Sequence, residues 1–540
     1  MKVRMNVRSI AILLGIAMTV SSQSEAATRL WSSNASTDFN LAGNWNTAVA
    51  PNAADEYSMG AVNTVDSTMT ANATVNGLIF TNGRNVTLDL AALQLTLDGG
   101  AANDIAVTGY GGSHLIIGDK VGSDLLFTNN AVNQINVAGG SSLEIDATIR
   151  GPIGAINTAF RFVKDGAGAV ELSADSSATW VSLGNPSSTF TPLTIRGGVL
   201  TLSSVGARGA NTNNVSVFQG SAAQSDNQGG GTLRLAANFG DINDFGGTTP
   251  TQGFLELSGR GWTGGSFGTG EGSLHNTLGD NFVTTTNGGE VRFANNGNFA
   301  ESAVRIRIAS GTSLTVSTPI INGALFNPAV PDLEKVGPGL LVFDTSDKSY
   351  TGNTTVMEGT LRVNANYTGG ADFNVDNGAI LQGTGDLVNA TSDLSIDGGG
   401  TLAPGASIGT FSVGGSVDLL SDGNGNSILA IEYDGIAGLA NDLIDKLIVD
   451  GDLDITAGTL SFAGLDDLDD AALVFASYGS LTGATFASVA GIPTNYQVVY
   501  GYNDGFSSNN IALVQVPEPG AIGLALIGLG SAILVRRRRA

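Results

Sequence analysis

The chain has 540 residues, a formal net charge of −24, 76 glycines and no cysteine. Without cysteine, disulfides and thiolate metal sites are excluded, so stability must come from burial and backbone pairing. An acidic surface of this kind repels nucleic acid, anionic glycans and anionic lipid headgroups, so we expect no nucleic-acid partner. Neutral sugars, divalent cations and basic proteins remain open as partners, although the simplest role of the charge is solubility.

The first 26 residues predict a secretory signal peptide. Lys2, Arg4 and Arg8 precede an apolar stretch at 10–20, and small residues lead to a predicted cleavage site at Ala26. The alternative is an N-terminal membrane anchor. The apolar stretch of about a dozen residues is, however, shorter than the roughly 20 that a membrane-spanning helix needs.

Between the two termini, glycines separate short segments in which apolar and polar residues alternate. The longest such run includes Leu447, Val449, Leu453, Ile455 and Leu460. This alternation predicts strands with one buried face, and the Gly, Asn and Asp clusters between them supply positive-φ turn positions. Because no long apolar stripe with helical spacing occurs here, residues 27–515 are predicted to be nearly all β.

A long succession of strands must avoid leaving open sheet edges. Stacking the chain in coils of about 20 to 25 residues leaves edges only at the two ends, which favours a right-handed parallel β-helix, or β-solenoid. The irregular spacing of the segments favours this fold over a β-propeller. Several β-sandwiches in series are the alternative.

Two stretches share one pattern of turn, strand, loop, strand, turn and strand. The stretch from Lys335 to Val363 contains Lys-x-Gly-x-Gly, then Tyr-Thr-Gly-x-Thr from Tyr350, then Gly-x-Leu. Residues 164–202 repeat the first and last of these elements but lack Tyr-Thr-Gly. At these residues the chain resembles the autotransporter-associated β-strand repeat. The resemblance implies an exported, passenger-like β-helical body, which we divide into 27–330 with a degenerate copy at about 164–202, the repeat at 331–365, and a β-rich part at 366–515.

The last 25 residues join three features in a fixed order. These are Pro517-Glu518-Pro519, an apolar segment at 520–535, and the basic cluster Arg536, Arg537, Arg538 and Arg539. Two prolines in three residues keep the peptide extended and accessible to a protease. The apolar segment predicts a single transmembrane helix, and the arginines are expected to stay on the cytoplasmic side.

This tail at 516–540 resembles the PEP-CTERM sorting signal of Gram-negative bacteria. The resemblance implies cleavage near Pro517, Glu518 and Pro519 by an exosortase-type enzyme, after a transient inner-membrane intermediate. The product would then reach the cell surface or extracellular matrix. A plain C-terminal membrane anchor is the alternative.

Without its two terminal signals the body has 17 basic and 46 acidic residues, a net charge of −29.

One segment has the spacing of a hydrolase nucleophile elbow, Gly-x-Ser-x-Gly. Ser407 is its central residue, between Gly405 and Gly409. An elbow requires a helix after the serine, whereas the strand pattern resumes within two residues. Both histidines, His114 and His275, also precede the serine. We therefore expect no catalysis at Ser407.

Other polar clusters are expected to be structural. Asp422 begins a sequence similar to a calcium loop, but Ser427 replaces its required glycine, so a hairpin turn is predicted. The two lone histidines are expected at turns or on the surface, and no metal or cofactor site is predicted. The acidic group at 466–470 is expected to form a solvated loop, with surface calcium binding left open. Core or cap packing is expected for all four tryptophans, Trp31, Trp45, Trp180 and Trp262.

These observations predict a non-catalytic rod used for adhesion, biofilm or envelope structure, with extracellular polysaccharide as one conceivable partner. The alternative is a carbohydrate-active enzyme on the same β-helix, either a polysaccharide lyase or a hydrolase. Paired carboxylates for such chemistry cannot be selected from the sequence, because 46 acidic residues offer too many pairs.

Overall fold

The computed structural model describes residues 27–516, except for 33–35, 60–65, 82–84, 99–102, 109–113, 119–121, 129–131, 152–160, 178–192, 208–213, 219–229, 241–253, 263–269, 285–288, 296–302, 324–329, 436–442 and 465–467. The predicted signal peptide up to Ala26 and the sorting segment from Pro517 lie outside these residues. Within them, the only helix is a single 3₁₀ turn at Ala42–Asn44, so none is long and apolar enough to span a bilayer.

The strands form three stacks, here called stacks I, II and III, and in the coils for which all three strands are described the chain visits II, III and I in turn. Stack I contains Thr28–Leu30, Glu56–Met59, Gly77–Phe80, Ile105–Val107, Val132–Val137, Arg161–Asp165, Leu193–Ile195, Val215–Val217, Phe254–Leu257, Glu290–Phe293, Ile320–Asn322, Asn366–Tyr367, Asp386–Leu387 and Thr410–Val413. Stack II contains Ser67–Thr68, Val86–Asp89, His114–Ile117, Ser142–Ile145, Ala169–Leu172, Val199–Leu202, Thr232–Leu235, Leu274–Asn276, Ala303–Ile308, Asp332–Val336, Thr354–Val356, Phe373–Val375, Leu394–Ile396 and Val417–Leu419.

Stack III is described in two sections along the chain. The first contains Ala73–Val75, Gln94–Leu97, Asp124–Phe127 and Thr148–Arg150. The second contains Asp280–Val283, Ser313–Val316, Leu340–Phe343, Thr360–Val363, Ile380–Gly383, Thr401–Pro404, Ile428–Asp434, Thr459–Gly464 and Ser488–Ala490. Near the C-terminus, the long strands Lys446–Asp454 and Ala472–Thr482 each continue from stack I into stack II.

Within the stacks the strands pair in parallel, and equivalent residues of successive coils lie directly over one another. In stack III, one column consists of Leu341, Leu361, Leu381, Leu402 and Leu429, all fully buried. Adjacent strands lie about 4.8 Å apart, so such columns form a continuous apolar interior. The prediction of a parallel, all-β solenoid is thereby confirmed and the β-sandwich alternative is wrong. The right-handed sense of the coil stays a prediction.

Additional elements lie at both ends of the stacks. At the N-terminal end, Trp45 packs edge-on against Trp31, Phe39 and Tyr57, with ring centroids 5.0, 5.4 and 4.7 Å away. At the C-terminal end, Tyr496–Tyr500 and Asn510–Gln515 add an antiparallel sheet to the last long strand. This sheet covers the edge of that strand, and covering an edge lowers the hazard of pairing with other chains.

A ladder of polar side chains runs along the corner that precedes stack II. Asp332 Oδ1 accepts the backbone N–H of Asn353, and Asn353 Oδ1 accepts that of Asp372. Asp372 repeats the contact with Asp393, and Asp393 with Ser416, over distances of 3.2 and 2.8 Å. Each of these side chains thus accepts a hydrogen bond from a backbone N–H of the next coil, at a corner where pairing between strands has ended.

This ladder predicts that Asp393 stabilises the body through its acceptor oxygen and not through its charge. Asp393→Ala should lower the free energy of unfolding by about 1 kcal/mol, because the Ser416 N–H loses its protein partner. Asp393→Asn keeps an acceptor and removes repulsion with Asp418, so its stability should equal or exceed that of the wild type. Urea denaturation compares the three proteins. Equal loss of stability in both variants would contradict the ladder's role.

Candidate functional site

The lysine of the Lys-x-Gly-x-Gly turn is buried and joins two coils. Lys335 Nζ donates to the carbonyl of Gly337, at 2.5 Å, and to that of Glu358 on the next coil, at 2.6 Å. The Glu358 carboxylate in turn accepts the Gly337 N–H at 3.0 Å. Gly337 has a φ of 80°, a conformation in which side chains are strained. The motif therefore encodes a cross-link between successive turns.

Lys164 makes the same local arrangement in the degenerate copy. Its Nζ donates to the carbonyls of Asp165, Gly166 and, on the next coil, Gly197, all at 2.8–2.9 Å. The two lysine turns differ in their place in the coil. The Lys164 turn joins stack I to stack II, whereas the Lys335 turn joins stack II to stack III. The same turn is thus used at two corners.

A third buried lysine, Lys348, was not identified from the sequence. Its Nζ donates to the carbonyls of Thr318, Asp344 and Ser346, at 3.0, 3.1 and 2.5 Å. The only signal in the sequence is an isolated lysine just before Tyr-Thr-Gly. Burial lowers the pKa of Lys164 and Lys335 to about 7 and that of Lys348 to about 8.

The Tyr-Thr-Gly element fills the interior beside these turns. Tyr350 is fully buried between Phe293 and Tyr367, and its hydroxyl lies 2.5 Å from Thr354 Oγ1. Gly352 packs so closely on the Pro331 carbonyl of the preceding coil that a Cβ atom would overlap it. The signature of this repeat therefore consists of packing and turn residues.

Ser407 lies on an exposed corner between Thr401–Pro404 and Thr410–Val413. The serine thus connects two strands, which excludes the strand-to-helix turn of a nucleophile elbow. Beneath it, buried Asp445 accepts the N–H groups of Gly409 and Glu432 at 2.9 and 2.8 Å. Burial raises the pKa of Asp445 to about 7.

The outward side of stack II carries a cluster of paired charges, here called the charged cluster. Glu271 accepts from Arg234 at 2.5 Å and lies 2.9 Å from His275 Nδ1. Glu334 accepts from Arg260 and Arg305 at 2.5 and 2.7 Å. The register places these groups on adjacent coils. Arg234 lies beside His275, and Arg305 lies beside Glu334.

Both glutamates of the charged cluster are held in the ionised form. Burial alone would raise the pKa of Glu271, but the hydrogen bonds from His275 and Arg234 hold it below its usual value. Burial likewise opposes ionisation of Glu334, and Arg260 and Arg305 lower its pKa. A carboxylate that stays ionised cannot serve as a general acid near neutral pH. These two glutamates could not be singled out from the sequence, since only the register brings them to their arginines.

The expectation of a turn or surface position is wrong for His275. His275 is buried in the strand Leu274–Asn276, where Glu271 pairs with its ring. His114 begins a strand of stack II. A histidine among Gly and Asn residues resembles a turn residue in the sequence, but alternation places it in a strand. No group of three or more potential metal ligands occurs in the described residues.

Other predicted features have mixed outcomes. The hairpin at Asp422 is confirmed, because Ser421–Asp422 pairs antiparallel with Gly425–Asn426. Cap packing is confirmed for Trp31 and Trp45, while Trp262 is half-buried beside the charged cluster. Trp180 and the acidic residues Asp466 and Asp467 lie outside the described residues, as do Pro517, Glu518, Pro519 and Arg536 to Arg539.

Comparison with known families identifies two segments. Residues 333–363 match the passenger-associated-transport-repeat, and residues 515–539 match the PEP-CTERM protein-sorting motif. The chain carries both motifs. Together they imply an exported protein of the Gram-negative cell envelope or surface that is processed by an exosortase-type sorting system. Comparison with curated proteins found no match for the chain.

The buried lysines predict that the body gains stability as pH rises above neutral. The folded pKa of Lys335, about 7, lies below its ordinary value of 10.5, so between these values the unfolded chain binds a proton that the folded chain lacks. The free energy of unfolding should therefore increase with pH, by at most about 1.4 kcal/mol per unit for each such lysine.

Urea denaturation between about pH 7.5 and 9.5 measures this slope. Lys335→Met should make it shallower, because one linked proton is removed. Lys446→Met, at a half-buried position without a network of carbonyl partners, serves as the control and should keep the wild-type slope. If Lys335→Met and the wild type give parallel curves, Lys335 is not the linked group.

Proposed function

We propose that this protein is a non-catalytic β-solenoid rod that an exosortase-type enzyme cleaves at Pro517-Glu518-Pro519 and delivers to the cell surface or extracellular matrix. There it serves an adhesive or structural role. The observation that supports this most directly is the presence of a passenger-associated repeat and a sorting motif in one chain. The first provides an elongated exported body, and the second provides a route of delivery.

The position of the sorting motif suits cleavage without damage to the body. The last strand ends at Gln515, and the Val516 N–H still bonds to the Asn495 carbonyl at 2.7 Å. The tripeptide begins at the next residue. Cleavage there removes the apolar segment and the arginines but leaves every described strand in place.

The acids of the body also favour a non-catalytic role. Asp104 and Asp445, whose pKa values burial raises to about 6 and about 7, are buried and accept backbone N–H groups. One Asp104 oxygen accepts from Gln134, and the two Asp445 oxygens accept from Gly409 and Glu432. General acids act from a position within hydrogen-bond reach of the substrate.

A polysaccharide-degrading enzyme is the second candidate, and the charged cluster is the observation that favours it. Glu271, His275, Arg234 and Trp262 combine the residue types used to bind and cleave sugars. Arg234 and His275 pair with the Glu271 carboxylate, and the Glu271 N–H donates to the Trp262 carbonyl. Glu271 is, however, only 1 % exposed and engaged by two partners, which supports a structural role for this group.

The sorting proposal predicts loss of the tail from the mature protein. Mass spectrometry of protein from the cell surface should find no peptide beyond about Pro519. Replacing Pro517 and Pro519 by alanine should block cleavage and retain the intact chain in the inner-membrane fraction, because the recognition tripeptide is lost. Pro493→Ala is the matched control and should be sorted normally. Recovery of intact Arg536 to Arg539 from surface-exposed wild-type protein would refute processing.

The non-catalytic proposal predicts no turnover of polysaccharide. The purified protein, incubated with panels of neutral and acidic polysaccharides, should release neither reducing ends nor unsaturated products. Glu271→Gln and Glu334→Gln should give the same null result while losing about 3 kcal/mol or more of stability, because each breaks a buried ion pair. Wild-type turnover that either folded variant abolishes would establish the enzyme instead.

A further inference from the structure

A cavity of about 270 Å³ opens at the corner between stacks III and I, away from the charged cluster. Tyr433, Glu432 and Asp434 line it from the end of the strand Ile428–Asp434, and Ser407 and Ile408 line it from the preceding corner. Its volume lies near the lower end of the roughly 300–1,000 Å³ typical of small-molecule sites. The cavity therefore suits one small ring and not a long segment of polymer.

The Tyr433 ring in this cavity packs against Gly464, where the absence of a side chain leaves room for it. Gly464 is the register partner of Tyr433 on the next coil, and a Cβ atom at Gly464 would overlap the Tyr433 ring. Any side chain at 464 would displace the ring. On the other side, Tyr433 pairs with Ile444 of the antiparallel strand Leu443–Ile444. Tyr433 thus lies between Gly464 and Ile444 of its two neighbouring strands, and its ring packs closely on Gly464.

The walls of the cavity are joined from beneath by Asp445. One oxygen of this buried carboxylate accepts the Gly409 N–H, next to Ser407 and Ile408, and the other accepts the Glu432 N–H. The Asp445 N–H also donates to the Glu432 carbonyl at 2.9 Å. One buried side chain therefore fixes the two walls relative to each other, which makes the cavity preformed.

The lining combines an aromatic ring and apolar groups with hydrogen-bonding oxygens. Tyr433, Ile408 and Ala463 offer apolar contact, while Glu432, Asp434 and Ser407 offer acceptors. A sugar ring has the complementary chemistry, since its C–H face is apolar and its hydroxyls donate to carboxylates. A cation would gain little from solvent-exposed carboxylates and would not need the apolar wall. Anionic sugars are repelled.

We propose that this cavity binds a single neutral sugar residue, with Tyr433 against the C–H face of the ring and Glu432 and Asp434 accepting from its hydroxyls. The proposal goes beyond surface display, because a protein that binds no sugar would still be sorted and cleaved. A failed sugar-binding test therefore leaves the sorting proposal intact, and the reverse also holds.

The test uses the full chain in a non-glycosidic detergent and saturation-transfer NMR with methyl glucoside, methyl galactoside and methyl mannoside. At least one sugar should bind saturably. Tyr433→Ala should weaken its binding by about tenfold or more. Gly464→Ala should do the same without removing the tyrosine, because the added Cβ displaces the ring. Tyr502→Ala, at a half-buried tyrosine in another loop, is the control and should bind as the wild type does.

A second variant distinguishes loss of sugar binding from failure of the protein to fold. Glu432→Gln changes only an exposed side chain, and circular dichroism should show it folded, yet it should bind the sugar several-fold more weakly. Absence of saturable binding for all three sugars at tens of millimolar would overturn the proposal. Tighter binding of tetramethylammonium than of any sugar, or equal weakening in Tyr502→Ala, would overturn it as well.

Discussion

In-register parallel stacking is the constraint on which this structure depends. Each side chain lies about 4.8 Å from the equivalent side chain of the next coil. The side chains that follow one another along a column must therefore pack or pair favourably. The buried leucine column from Leu341 to Leu429 satisfies this by packing like on like. Polar columns need another arrangement. Along the corner ladder each Asp or Asn accepts a backbone N–H of the next coil, and on stack II Arg305 alternates with Glu334.

The lysine turns have the opposite need, because their backbone carbonyl groups require hydrogen-bond donors. A turn with glycine at positive φ leaves carbonyls facing the inside of the corner, and neighbouring coils bring two such sets together. An ammonium group on a flexible stem supplies three donors from one point, which suits carbonyls that converge from two coils. Lys164, Lys335 and Lys348 all act in this way. Burying these ammonium groups lowers their pKa values, because desolvation disfavours the charged form.

Local features of the fold could be predicted from the sequence because they depend on short-range rules. Alternation marked the strands, glycines marked the turns, and the need to avoid open edges indicated a solenoid. The arrangement across coils could not be predicted, since it depends on register. Nothing local distinguishes the corner of Lys164 from that of Lys335, and the pairing of His275 with Glu271 requires knowledge of which residues share a face. The cross-coil contact of Lys348 could not be predicted either, because the Thr318 carbonyl that accepts from its Nζ lies 30 residues earlier in the chain.

The elements at the two ends of the stacks shape how copies of the protein can interact. The antiparallel sheet formed by Ala472–Thr482, Tyr496–Tyr500 and Asn510–Gln515 covers the last long strand, and the aromatic cluster around Trp45 packs at the other end. The parallel edges that remain in the described residues at the ends of stack III are short, because Ala73–Val75 and Ser488–Ala490 have three residues each. Residues 27–515 carry a net charge of −29, which adds repulsion between copies. Short terminal strands and like charge therefore both disfavour end-to-end pairing of copies of the body.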